Sequence, residues 1–250
     1  MNVATRSESE IKLISQSCQI VAETLELVST YIKEGISVLE LDRIAEEYIL
    51  SRKAIPAFKG YHGFPATLCI SIDDAVVHGI PDGTMLKDGQ VVGVDCGAIW
   101  KGYYGDHART FIVGDVSAEI STLINVTEMS LQKGIEQAIP GNYVGDIGFA
   151  IQNYAESFGF SVVRELVGHG IGTNLHEEPQ IPNHGKKKSG YKLHAGMCIA
   201  IEPMINLGQK EIYTSEDGWT IYTEDGSISA HFEHTIAIKE SGPVILSKVS

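Results

Sequence analysis

Several things are scarce in this 250-residue sequence, and each scarcity removes a class of protein. Basic residues number 19 against 32 acidic ones, and a formal charge of -13 argues against a phosphate backbone as main partner, since such binding needs clustered Lys and Arg. The same carboxylate excess suits a cleft that attracts cations. Only four cysteines occur, Cys18, Cys69, Cys96 and Cys198, and none forms a CxxC pair. A zinc ribbon or dithiol redox site is therefore not expected, and all four read as reduced core thiols. No stretch approaches the roughly 20 apolar residues that span a bilayer, and the opening MNVATRSESEIKL lacks the apolar run of a leader. A cytoplasmic protein without membrane contact is the expectation. HExxH, GxSxG and GxxxxGK[ST] are all missing, which withdraws support from zincin, serine-hydrolase and P-loop chemistry. The glycines of GHGIG, 168–172, fall short of a full GxGxxG dinucleotide pattern.

What is present is a chain 43% hydrophobic, enough for one well-buried domain over residues 1–250. Ser7 and Glu10 have the S-x-x-E form of a capping box, and Ile11, Ile14, Cys18, Val21, Leu25 and Val28 follow at helical spacing, predicting a first helix to about residue 31. Ser37 and Glu40 repeat the signature, with Leu41, Ile44, Ala45 and Tyr48 as the apolar face of a second. From Thr67 the texture changes to β-rich runs, TLCISI, VVGVDCGAIW and ARTFIV, separated by turn signals. The same order then restarts, with helices over 117–139 and 144–158 and strands after them. A shift of 106 places Gly35, Val38, Leu41 and Tyr48 on Gly141, Val144, Ile147 and Tyr154; a shift of 107 places LKDGQVVGVD on LHAGMCIAIE. Amphipathic helices resemble one another in any case, so the strand match carries more weight. Two helix-helix-strand halves sharing a sheet predict an α+β fold with approximate two-fold symmetry and a site where the halves meet. Asp95 and Glu202, read as ending the matched strands, would face each other there.

An acid closing an apolar strand is costly to bury unless something pairs with it. Neither Asp95 nor Glu202 has a Lys or Arg nearby in sequence. Asp106 after the turn 101–105, His169 within GHGIG and Glu233 within AHFEHTIAI stand in similarly structured contexts, which gives four carboxylates and one imidazole. Taken singly, Asp106 has the weaker alternative of a turn or strand-start residue, and His169 reads at least as well as a core histidine bonded to backbone. As a set they suit two divalent ions bridged by carboxylates, since so much converging negative charge would otherwise repel itself. Such a pair acidifies a water and polarises a carbonyl, so metal-assisted hydrolysis is the expected reaction.

The segments VVHGIP, VDCG, GYYGDHARTF, GHGIG, LHEEPQIP, IEPM and EHTIAI, in this order, resemble the motifs of the type I methionine aminopeptidases over most of the chain. That resemblance implies the duplicated "pita-bread" fold, with a central antiparallel sheet covered by helices. It implies Asp95, Asp106, His169, Glu202 and Glu233 as ligands of two divalent metal ions (Co, Mn, Fe, Ni or Zn), with Asp106 and Glu233 bridging and Glu202 also moving the proton of the attacking water. His78 and His176 match the two histidines that hold the scissile amide and stabilise the tetrahedral intermediate. Tyr61, His62, Phe64, Cys69 and Trp219, with Phe58 beside them, fall on the methionine pocket, an aromatic and thiol-lined slot suited to a thioether. Read without the resemblance, these are ordinary core aromatics. The implied activity is removal of the initiator methionine from nascent polypeptides when the second residue is small, by a monomer.

Some positions are less typical. His107 follows Asp106 where Ser or Thr is common, placing another imidazole beside a bridging ligand. Cys96 directly follows Asp95 and is expected on the opposite face of its strand. Lys186, Lys187 and Lys188, in a Gly-rich loop, offer a transient ribosome contact, though three lysines on a loop usually form only a solvated face. Prolidases and X-Pro aminopeptidases share such ligands but normally carry a large extra N-terminal domain, for which a helix starting near residue 7 leaves no room. A binding module that had lost its chemistry would have no reason to keep all five ligands and both histidines.

Overall fold

The computed structural model describes residues 3–249. Its first helix, α1 (Glu8–Ser29), begins as its capping box dictates: the Ser7 hydroxyl accepts the Glu10 N–H, and the Glu10 carboxylate accepts the Ser7 N–H at 2.8 Å. The predicted stripe from Ile11 to Val28 is the buried one. Ser37 caps α2 (Val38–Ser51) in the same way, but Glu40 turns outward to Arg43, so only half of that second box forms. The helices α3 (Ala118–Gln137) and α4 (Val144–Glu156) repeat the pair, close to where the sequence places them.

Each pair covers its own antiparallel half-sheet. In the first half the long strand β2 (Val91–Trp100) is central, with β1 (Leu68–Ile72) on one side and β3 (Tyr103–Ile112) on the other. The β2–β3 hairpin closes through Lys101 and Gly102, both at positive φ (50° and 81°), as a two-residue turn matched to strand twist requires. The second half runs β5 (Glu177–Pro182), β4 (Val167–Gly170), β6 (Cys198–Ile201), β7 (His234–Lys239), with Gly242–Ile245 on the outer edge. One hydrophobic core lies between α1, α2 and the first half-sheet, and another between α3, α4 and the second. The duplicated α+β arrangement is thus the one expected.

The halves are stitched together along β3. The Glu233 N–H bonds the Ala108 carbonyl at 2.9 Å, and two threonine hydroxyls act as donor and acceptor at once. Thr235 Oγ1 donates to the Asp106 carbonyl (2.8 Å) and accepts its N–H (3.2 Å); Thr110 Oγ1 does the same with His231 (2.7 and 2.9 Å).

Two sequence expectations need correction. Asp95 does not end its strand, because residues 96–100 continue to pair with β3; Glu202 does follow directly on β6. Asp106 likewise lies inside β3, the turn being only Lys101 and Gly102.

The segment before α1 is tied to the second half. The Arg6 N–H bonds the Gly196 carbonyl at 2.7 Å, and its guanidinium meets Glu177, which also accepts the N–H groups of Thr173 (2.9 Å) and Asn174 (3.0 Å). A Cβ on Gly172 would lie 2.3 Å from Arg6 Nη2, so a larger residue there would force the guanidinium to shift. The paired side chains are 10% and 14% exposed. Removing one partner of a largely buried pair strands the other charge, so Arg6→Ala is expected to lower unfolding free energy by about 3 kcal/mol. Urea unfolding followed by circular dichroism measures this; an unchanged midpoint would show the pair to be energetically idle.

Candidate metal centre

Strand register and alternation bring the five predicted ligands together. Asp106 sits opposite Gly97 and Asp95 opposite Ala108, so the two carboxylates share one face of the β2–β3 hairpin, a diagonal step apart. From the other half, His169 lies on β4 opposite Ala200 of β6, Glu202 follows β6, and Glu233 immediately precedes β7. His169 Nε2 is 3.5 Å from Glu202 Oε1 and 3.9 Å from Asp106 Oδ2. Ligand atoms of Asp106, His169 and Glu233 all lie within 4.8 Å of one another.

The electrostatics of this cluster are those of a cation site. Asp95 Oδ1 and Glu233 Oε1 are buried with no hydrogen-bond partner, and among the described residues no lysine or arginine pairs with any of the four carboxylates. Burial pushes the Asp95 carboxyl up to about 7. Asp106, Glu202 and Glu233 are raised well above the carboxylate range, by burial first and then by one another's charge. Burial, aided by His176, holds His169 down at about 3. Its Nδ1 faces the Gly170 carbonyl at 2.9 Å and must carry the single proton of the neutral ring, which leaves the Nε2 lone pair toward the carboxylates. An oxygen-rich set with one neutral nitrogen fits a divalent ion.

The remaining predicted residues line the same cavity of about 220 Å³. His78 follows the strand Ala75–Val77 at φ 60°, a left-handed conformation that turns it toward the centre. His176 Nδ1 is 2.9 Å from Tyr61 Oη, and its ring meets that of His169 edge-on at 4.3 Å. Burial lowers the pKa of both histidines, with His176 contributing to the shift at His78 and His62 to that at His176. Phe64 and Trp219 meet edge-to-face at 5.2 Å. Cys69, opposite Asp95 on β1, is kept a neutral thiol by burial. Phe58 packs on Gly97, where a Cβ would lie 2.6 Å from its ring.

Alternation sends His107 to the far face of β3. There it stacks on His234 (centroids 4.5 Å apart, 10° between planes) and hydrogen-bonds the Glu233 carbonyl. Its ring thus meets a ligand's backbone, while its own backbone N–H donates to Asp106 Oδ1 at 3.1 Å. Cys96 is fully buried among the core residues of the first half, as expected. Sequence reading missed Leu175, which lines the cavity, and His231. His231 is 4% exposed, and its Nε2 lies 3.7 Å from Glu202 Oε2 without a hydrogen bond. The period-two pattern of AHFEH, which places 231 and 233 on one face, was the available signal.

Comparison with known proteins agrees with this geometry. Residues 12–240 match the model of metallopeptidase family M24. The chain is 49% identical to a methionine aminopeptidase of Clostridium perfringens over 99% of both chains, and 48% identical to methionine aminopeptidase 1 of Bacillus subtilis over 99% of this chain and 100% of the relative. The crystal structure of a methionine aminopeptidase from Thermotoga maritima superposes with a TM-score of 0.97 at 42% identity, covering 99% of this chain and 100% of that one. With a carboxylate-rich cation site where two matched halves meet, and likeness to these enzymes from end to end, the chain belongs to metallopeptidase family M24, among its methionine aminopeptidases.

Proposed function

We propose that this enzyme removes the initiator methionine from nascent proteins whose second residue is small, with two divalent ions held by Asp95, Asp106, His169, Glu202 and Glu233. The observation that carries the reading is the convergence of these five side chains with His78 and His176 in one cavity lined by Tyr61, His62, Phe64, Cys69 and Trp219. Bound there, the ions would supply an acidified water and a polarised scissile carbonyl. Asp106 and Glu233, one from each half, would hold the ions together with the other three, and Mn, Fe, Co, Ni or Zn would suit the donor set.

The chain's own groups do the rest. Glu202, a carboxyl with a raised pKa at the edge of the cluster, takes the proton of the attacking water and delivers it to the leaving amine. If Tyr61 Oη donates to His176 Nδ1, the imidazole proton sits on Nε2, free to meet the developing oxyanion. His78 holds the scissile amide from the other side. The aromatic slot takes the methionine side chain, and a cavity of about 220 Å³ leaves little room for a bulky second residue. No helix among the described residues is long and apolar enough to cross a membrane. That fits a cytoplasmic monomer acting on emerging chains, with Lys186–Lys188 in transient contact with the ribosome.

The deciding assay is hydrolysis of Met-Ala-Ser and Gly-Ala-Ser by metal-stripped protein, before and after addition of Mn or Co. Release of Met from the first peptide only, and only with metal, is the expected outcome; folded protein inert with every divalent ion would refute the reading.

Metal binding is expected to release protons. A carboxyl whose folded pKa is raised keeps its proton below that value, and Asp95 titrates only near 7, so at pH 6.5 an incoming ion must displace protons from the cluster. Affinity therefore rises with pH through this range. Calorimetry in buffers of differing ionisation enthalpy reads the proton count directly, and a count of zero would show the carboxyls already ionised.

Tyr61→Phe keeps the ring in the slot but loses the bond to His176. We expect kcat to fall about five-fold, the worth of one hydrogen bond of about 1 kcal/mol, with little change in KM. A change in KM alone would make Tyr61 a slot residue and nothing more.

A further inference from the structure

The Glu202 carboxylate has two oxygens in different surroundings. Oε1 faces the ligand nitrogen of His169 at 3.5 Å; Oε2 faces away from it, toward His231 Nε2 at 3.7 Å. Alternation along 230–233 explains how His231 comes to be there. Ala230 and Phe232 enter the core beneath α3 and α4, while His231 and Glu233 turn to the opposite face. The His231 backbone is fixed on both sides, by the Thr110 hydroxyl and by pairing with Met204. Its ring is 4% exposed, and Nε2 has no hydrogen-bond partner, an arrangement that is costly unless a partner comes within reach. An acceptor, Glu202 Oε2, lies a few tenths of an ångström beyond hydrogen-bond range.

We propose that His231 is a positioning residue for Glu202: its Nε2–H engages Oε2 and so fixes which carboxylate oxygen turns to the metal ions and which is left to carry the proton. The inference rests on the reading of Glu202 as ligand and proton carrier. Held at one lone pair of Oε2, the carboxylate cannot rotate to present both oxygens to the ions, and the second lone pair stays open for the proton. His231 is not among the residues that line the cavity.

Two variants of the full chain and one spectroscopic measurement test this. In Mn-loaded protein, His231→Leu should lower kcat for Met-Ala-Ser about 10- to 100-fold, the usual cost of losing an outer-shell partner. KM should stay within about two-fold, as expected when an interaction made during the chemical step is lost. Metal content and melting temperature should not change. His231→Gln, whose amide N–H reaches in the same direction, should restore kcat to within about three-fold of the parent. A fully active Leu variant, a Gln variant no better than Leu, or loss of activity in step with loss of metal would each overturn the assignment. Independently of turnover, ¹⁵N-histidine NMR of the metal-free protein should show the His231 proton on Nε2, with its signal displaced by Glu202→Gln. A proton on Nδ1 overturns the proposal even if the Leu variant fails to fold. Should the parent protein release no methionine, the proposed function falls by itself, and the NMR result still decides the role of His231 beside Glu202.

Discussion

Four carboxyl groups drawn into one buried cavity, with no lysine or arginine among the described residues to balance them, dominate this structure. Each raises the pKa of another, and burial raises them all. Left to themselves such groups hold protons or repel; a divalent ion lets all of them ionise at once. The architecture is best understood as the scaffold that forces this proximity. Neither half-sheet could do so alone, because Asp95 and Asp106 come from one and His169, Glu202 and Glu233 from the other.

The seam between the halves therefore matters as much as the ligands. Thr235 grips the backbone of Asp106, and Thr110 grips that of His231, each with one hydroxyl that both donates and accepts. The Glu233 N–H adds a third tie to Ala108. Two carboxylates that approach from opposite half-sheets are thus fixed by backbone bonds a residue or two away, and cannot retreat from each other by small backbone shifts. On the far face of β3, His107 and His234 stack against the same junction and add packing without entering the site.

Histidines serve the centre in distinct ways because each ring nitrogen meets a different neighbour. His169 spends Nδ1 on a carbonyl and keeps Nε2 for a ligand role. His176 meets a tyrosine hydroxyl through Nδ1, and His78 reaches the cavity from a left-handed backbone position. Burial keeps His78, His169 and His176 below the usual imidazole range, so they act as neutral donors and acceptors rather than as additional charges.

Much of this was legible in the amino-acid order. Capping signatures, helical stripes and the repeat at 106–107 residues are local or periodic properties, and they located all four helices and the duplication. The ligands could be named because an acid beside an apolar strand is conspicuous, and because the motifs around it resemble those of a known family. What the sequence could not supply was anything that depends on which strand lies beside which. The continuation of β2 past Asp95 is a matter of pairing with β3, and the facing of Tyr61 and His176, 115 residues apart, is a matter of two halves closing on one cavity. Arg6 reaching Glu177 and His231 turned toward Glu202 belong to the same class. A side chain's type and periodicity are written in its own segment, whereas its partner is chosen by the fold that brings distant segments within a few ångströms.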